Sequence, residues 1–268
     1  MYEELYEELS PQMVEEYLLR IGLDAQIIAE GPTKEVLDRL IFAHQCSVPF
    51  ETLDCCGTGG DIPLATSAVF DKIVTRRRGG YCFELSGLFD KLLRALGYQT
   101  SSCLARAVIR RDYLPPNLHR FSLVEMEDGT YMADVGFGGP VPSSALKLEP
   151  GIQADTTGER FSFELDDQGW WMLYRHLPDG LQKLLYFNTM PQLEVDFLTA
   201  SYYSAWAPDS HFVVNRIVSL RRPNGSVQIF NDTFKVIENG VTVVEKTVES
   251  PEERAVLLRE HFGIEGVE

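Results

Sequence analysis

The hydrophobic period of this chain changes once, near Thr100, and that change limits the possible fold more than any other feature. Before it, apolar residues recur at three and four. Ser10-Pro11 supplies an N-cap and a first-turn proline, Met13, Val14, Tyr17, Leu18 and Ile21 share one face, and Gly22 stops the run. The spacing predicts further helices over 34–43, through Val36, Leu37, Leu40 and Ile41, and over about 68–74. A fourth begins near Cys82, carries Leu85, Leu88, Phe89, Leu92, Leu93 and Leu96 on one stripe, and ends at Gly97. After Thr100 the period is two. The runs SSCLARAVI, RFSLVEM, TYMADVGF, RFSFEL and WWMLYRH alternate like strands, with the turn segments EDGT and DDQG between neighbours. A helical segment, EVDFLTASYYSAW, leads into the strands FVVNRIVSL, SVQIFN and TFKVIE. Ser250-Pro251-Glu252-Glu253 reads as a capping box for a closing helix that Gly263 ends. The expected fold is α+β: an N-terminal helical bundle over 1–98, a central antiparallel β-barrel over 99–192 and an α/β region over 193–268, packed as one body.

Composition removes several function classes. The chain has 268 residues and is 44% hydrophobic, enough for a sizeable core. Its formal net charge of −16 argues against a nucleic-acid partner or an anionic membrane surface. The N-terminus MYEELYEELS is acidic where an export signal is basic and then apolar, so the expected location is the cytoplasm. Five cysteines, Cys46, Cys55, Cys56, Cys82 and Cys103, are an odd number without an export signal and are expected to be thiols. No CxxC pair occurs, and no metal site is expected.

One cysteine stands out. In RRRGGYCFELSGLF, residues 76–89, Cys82 opens a helix directly after two glycines. Unpaired backbone N–H groups and the positive end of the helix dipole favour a thiolate there, and the same N–H groups suit an oxyanion. A lone cysteine on an apolar stripe is more often a small core hydrophobe, so a nucleophile needs a base and an orienting acid elsewhere. His119 precedes the strand FSLVEM, and Asp134 interrupts an apolar run on the next strand. A buried carboxylate requires partners. A tight Asp128-Gly129 turn would face Asp134 with Leu123, about 13 Å along the strand from the position opposite His119. A four-residue loop over 125–128 would instead set His119 opposite Asp134 on a shared face. The sequence permits both registers.

The segments RRRGGYCFE (76–84), LHRFSLVEMEDGTYMADVGFGGP (118–140) and HQCSVPFETLD (44–54) together resemble the arylamine N-acetyltransferases. The resemblance extends over nearly the full chain. It implies a helical bundle, a β-barrel and an α/β lid, a fold related to papain-like thiol enzymes, and a Cys82–His119–Asp134 catalytic triad. It further implies a substrate pocket of Phe50, Tyr81, Phe137 and Phe212, and a structural ion pair between Glu51 and Arg78. The implied reaction is acetylation of arylamines, arylhydrazines or hydroxylamines through an acetyl-cysteine, with acetyl-CoA as donor substrate and no permanently bound cofactor. Arg76 and Arg77 are candidates for the CoA phosphates or a solvated surface pair. Thr52, where the family usually has asparagine after PFE, and Val214-Asn215 depart from the pattern. An amide synthase closing a macrolactam, or a thiol hydrolase, would use the same three residues.

Overall fold

The computed structural model describes residues 2–266, and its elements change type where the hydrophobic period does. The first part is helical: α1 Pro11–Arg20, α2 Lys34–Ser47, α3 Thr66–Phe70 and α4 Cys82–Ala95, interrupted by the two-residue strand β1, Phe50–Glu51. Side chains cap these helices. Ser10 Oγ accepts the Met13 N–H at 3.3 Å, and Thr33 Oγ1 accepts that of Val36 at 3.2 Å. Helix α2 runs a turn beyond its expected end because His44 and Gln45 point inward, and Tyr17 Oη lies 2.9 Å from His44 Nδ1. Helix α3 begins earlier than expected and continues into a π-turn over Asp71–Thr75.

Eight antiparallel strands follow: β2 Gln99–Ala107, β3 His119–Met126, β4 Gly129–Ala133, β5 Leu146–Lys147, β6 Gly151–Ala154, β7 Arg160–Leu165, β8 Trp171–Leu177 and β9 Gly180–Phe187. Their order in the sheet is β5-β4-β3-β2-β9-β8-β7-β6. The two edges nearly close on each other. Lys147 N–H donates to Gln153 Oε1 at 2.9 Å, and Gln153 Nε2 donates to Lys147 O at 2.7 Å. Phe121, Leu123, Met132, Phe161, Phe163, Leu173, Leu185 and Phe187 fill the barrel.

The β3–β4 hairpin adopts neither register expected from the sequence. Met126 pairs with Gly129 and Ser122 with Ala133, leaving Glu127-Asp128 as the two-residue loop. Here Leu123 faces Met132 and Val124 faces Tyr131, apolar against apolar on both faces. The alternatives would set Leu123 against Asp134 or Thr130. Strand β4 then stops at Ala133, and residues 134–139 form a loop rather than the expected continuation of the strand.

The remainder contains α5 Asp196–Trp206, the short α6 His211–Val214, strands β10 Ile217–Arg222, β11 Gly225–Phe230, β12 Thr233–Glu238 and β13 Val241–Thr247, and α7 Pro251–Leu257. These strands form a sheet ordered β1-β10-β11-β12-β13, so β1 from the helical part pairs Phe50 with Ser219 and Glu51 with Val218. Ser250 caps α7 as expected, accepting the Glu253 N–H at 3.1 Å, whereas the Glu253 carboxylate takes the Glu249 N–H. No helix among the described residues is long and apolar enough to cross a membrane.

Candidate active site

Cys82 is the first residue of α4, and a network of charges holds that helix start in place. Glu84 Oε2 accepts the Tyr81 N–H at 3.0 Å, while Glu84 Oε1 lies 2.7 Å from Lys72 Nζ. Lys72 also meets Asp54 at 2.7 Å, and Arg78 reaches both Asp54 and Glu51 at 2.7 Å. The Glu51–Arg78 pair expected from the resemblance is thus one link in a chain of five charges running from β1 to the nucleophile helix. The sequence reading missed Lys72, Asp54 and Glu84. Their one visible signal was a lysine inside the otherwise apolar KIV of the third helix. Burial by itself would lower the pKa of Lys72, but Glu84, Glu51 and Asp54 raise it. Burial raises that of Glu84 although Lys72 opposes it.

His119 opens β3, and the loop after β4 brings Asp134 to it: His119 Nε2 lies 2.7 Å from Asp134 Oδ2. From the observed register Asp134 extrapolates to a place opposite Phe121, diagonal to His119, a separation that two long side chains bridge. The loop is anchored. Asp134 Oδ1 accepts the Gly136 N–H at 2.9 Å, and Asp134 O accepts from Gln45 Nε2 at 2.8 Å. Cys82 Sγ stands 3.6 Å from the carbonyl oxygen of Leu118, the residue before His119. Cys82 is 1% exposed, and His119 and Asp134 are each 4% exposed. Burial would lower the His119 pKa, but the charge and hydrogen bond of Asp134, with help from Cys82, push it up to about 10.

Two glycines let this loop close over the nucleophile. A Cβ on Gly136 would come within 2.9 Å of Cys82 Cα, and one on Gly138, at φ +69°, within 2.3 Å of the Phe50 ring. Between them, Phe137 packs edge-on against His119, with ring centroids 5.1 Å apart. Phe212 meets Phe50 and Tyr81, each at 5.7 Å and also edge-on. Phe50, Tyr81 and Phe212 thus form one cluster at the start of α4, and Phe137 lies against His119. Tyr81 is itself fully buried, with its hydroxyl 2.5 Å from Ser201 Oγ, so it forms the base beneath Phe212. Phe212 sits on α6, where a strand was expected; Ser210 Oγ accepts its N–H at 3.3 Å and starts the turn.

The two departures from the family pattern touch each other. Thr52 Oγ1 donates to Asn215 O at 3.1 Å and accepts the Ile217 N–H at 3.0 Å, tying the segment after β1 to the start of β10. Arg76 is spent on Asp71 at 2.7 Å, and the Arg77 and Arg78 carbonyls accept from the buried Arg20. His44 lies in the bundle core, away from Cys82, and burial together with Arg20 pushes its pKa down to about 3. All five cysteines are free thiols. No cluster of three or more possible metal ligands occurs among the described residues.

Comparison with known proteins finds one family. A model of the N-acetyltransferase family matches residues 33–267. The arylamine N-acetyltransferase / N-hydroxyarylamine O-acetyltransferase of Salmonella typhimurium is 34% identical over 235 residues, spanning 87% of this chain and 83% of that protein. The solved structure of arylamine N-acetyltransferase from Salmonella typhimurium superimposes with a TM-score of 0.88 at 31% identity, covering 96% of this chain and 92% of the other. That of Mycobacterium marinum arylamine N-acetyltransferase in complex with CoA gives 0.84 at 31% identity, covering 94% and 92%.

Proposed function

The chain belongs to the arylamine N-acetyltransferase family and is an acyltransferase, and on that premise we propose that it acetylates neutral aromatic amines, hydrazines or hydroxylamines in two half-reactions through an acetyl group on Cys82. The observation that supports this reading most is the buried 2.7 Å contact of His119 with Asp134, next to the Leu118 carbonyl that the Cys82 thiol meets at 3.6 Å; the carboxylate raises the ring's pKa to about 10 and so favours its protonated form at pH 7.

In the first half-reaction the Cys82 sulfur attacks the thioester carbonyl of acetyl-CoA. A new S–C bond forms, the bond to the CoA sulfur breaks, and the His119 proton leaves with CoA. One thioester replaces another, so the step is nearly isoenergetic and the acetyl-enzyme keeps its reactivity. Open N–H groups in the first turn of α4 are suited to the oxyanion. In the second half-reaction an amine nitrogen attacks the acetyl carbon, His119 takes its proton, and the Cys82 thiolate is released while Asp134 holds the ring. Phe50, Phe137 and Phe212 offer faces and edges to a flat acceptor and exclude water. Arylamines are neutral at pH 7 and carry a free lone pair, whereas alkylamines are protonated.

Incubation with acetyl-CoA alone should add one acetyl group, mapped to Cys82. Steady-state rates should give parallel double-reciprocal lines, and an aniline or arylhydrazine should outpace an alkylamine of similar size. If isolated acetyl-enzyme loses its acetyl group no faster with aromatic amines and hydrazines than in buffer, the reading fails and a hydrolase or amide synthase replaces it.

A further inference from the structure

Helix α5 carries two stripes. Phe197, Ala200, Ser204 and Ala205 face inward and are buried. Leu198, Tyr202 and Trp206 follow one another at intervals of four and form a second stripe that the core does not cover. Tyr202 is 66% exposed and Trp206 43%, and their rings stack with centroids 6.1 Å apart at 29°. With Gly60, Asp61 and Ile62 from the facing loop, this stripe lines a cavity of about 350 Å³, which is the size of a small-molecule site. The loop is held in position. Gly57 N–H donates to Val213 O at 2.8 Å and Gly60 N–H to Ala205 O at 3.2 Å, while a Cβ on Gly59 would come within 2.9 Å of the Trp206 indole.

The charge of the lining selects the occupant. Asp61, exposed at the surface, is the one acidic or basic side chain among the lining residues, and it makes no ion pair among the described residues. A carboxylate that lines the same cavity as electron-rich rings suits a positive charge carried on an apolar body, because the rings attract the cation and the carboxylate neutralises it. An anion would be repelled, in a chain whose net charge is already −16. We propose that this cavity is a second small-molecule site, separate from Cys82, that binds organic cations of the quaternary or protonated-amine class. The slot beside Cys82 favours a neutral nitrogen; this one favours a charged one. The two are linked through Ser201 on the cavity wall, which lies 2.5 Å from the hydroxyl of Tyr81, the residue before the nucleophile.

Benzyltrimethylammonium is a suitable probe because it has no N–H to acetylate. Titrated into the full chain, it should quench tryptophan fluorescence saturably, and the quench should disappear in Trp206→Phe, which leaves Trp170 and Trp171 in place. Calorimetry should show affinity falling about fivefold in Asp61→Asn, as for loss of an exposed charge pair, falling further in Tyr202→Ala, and weakening with salt. Binding should persist after Cys82 is alkylated. Benzyl alcohol, with the same ring and no charge, should bind much more weakly. The proposal is overturned if no saturable binding occurs, if benzyl alcohol binds as tightly, if Asp61→Asn binds like the parent, or if alkylation of Cys82 abolishes binding and so places the probe beside the nucleophile.

Discussion

Replacing Asp134 with asparagine removes one charge while keeping the shape of the side chain, and so tests whether that charge is what keeps His119 protonated. Burial alone would take the ring below its ordinary 6.5; Asp134, 2.7 Å away, supplies the largest upward push, and the ring titrates at about 10. That difference corresponds to about 5 kcal/mol in favour of the imidazolium. In Asp134→Asn burial prevails, the ring is neutral at pH 7, and the thiol loses its counter-ion. A cation beside a thiol promotes its reactive form, so without it alkylation of Cys82 by iodoacetamide at pH 7 should slow by about tenfold or more. Stability carries the same signature. The His119 contribution is fully present below pH 6.5 and is lost as the pH rises toward 10, a decline that the variant should lack. Alkylation at the parent rate, with the same pH dependence of stability, would refute the reasoning.

Arg78→Met leaves Glu51 buried beside Asp54 without its cation, and chemical denaturation should register a loss of about 3–5 kcal/mol. Gly138→Ala places a methyl group 2.3 Å from the Phe50 ring at a positive φ, so melting temperature and aromatic-amine turnover should fall together. His44, held near 3 by burial and Arg20, contributes stability that is present above pH 6.5 and lost as the pH falls toward 3. An acid titration followed by circular dichroism should therefore show a shallower loss in His44→Gln over that interval. Thr52→Val removes both hydrogen bonds that tie the chain after β1 to β10, and hydrogen exchange at Ile217 should quicken while exchange in the barrel strands is unchanged.

The order of elements was legible in the sequence because each depends on neighbours a few residues away. The 3.6-residue stripes, the Ser10-Pro11 start and the glycine stops marked the helices, and alternation marked the strands, since periodicity reports which face a segment buries. Cys82 at a helix start, His119 at the head of a strand and Asp134 in an apolar run were visible for the same reason. Their convergence was not. The two registers weighed for the β3–β4 hairpin and the one observed keep the same side chains on the same faces, so alternation alone could not choose; the apolar pairing of Leu123 with Met132 and Val124 with Tyr131 did. The short helical turn bearing Phe212 and the loop that follows Ala133 were likewise held by partners far along the chain, Gly57 in one case and Gln45 in the other. The charge chain from Glu51 through Arg78, Asp54 and Lys72 to Glu84 joins three separate segments. Local pattern fixes which way a residue faces, whereas a buried charge or a strand register is chosen by whatever the folded chain brings opposite it, and that is decided only when distant segments exclude water together.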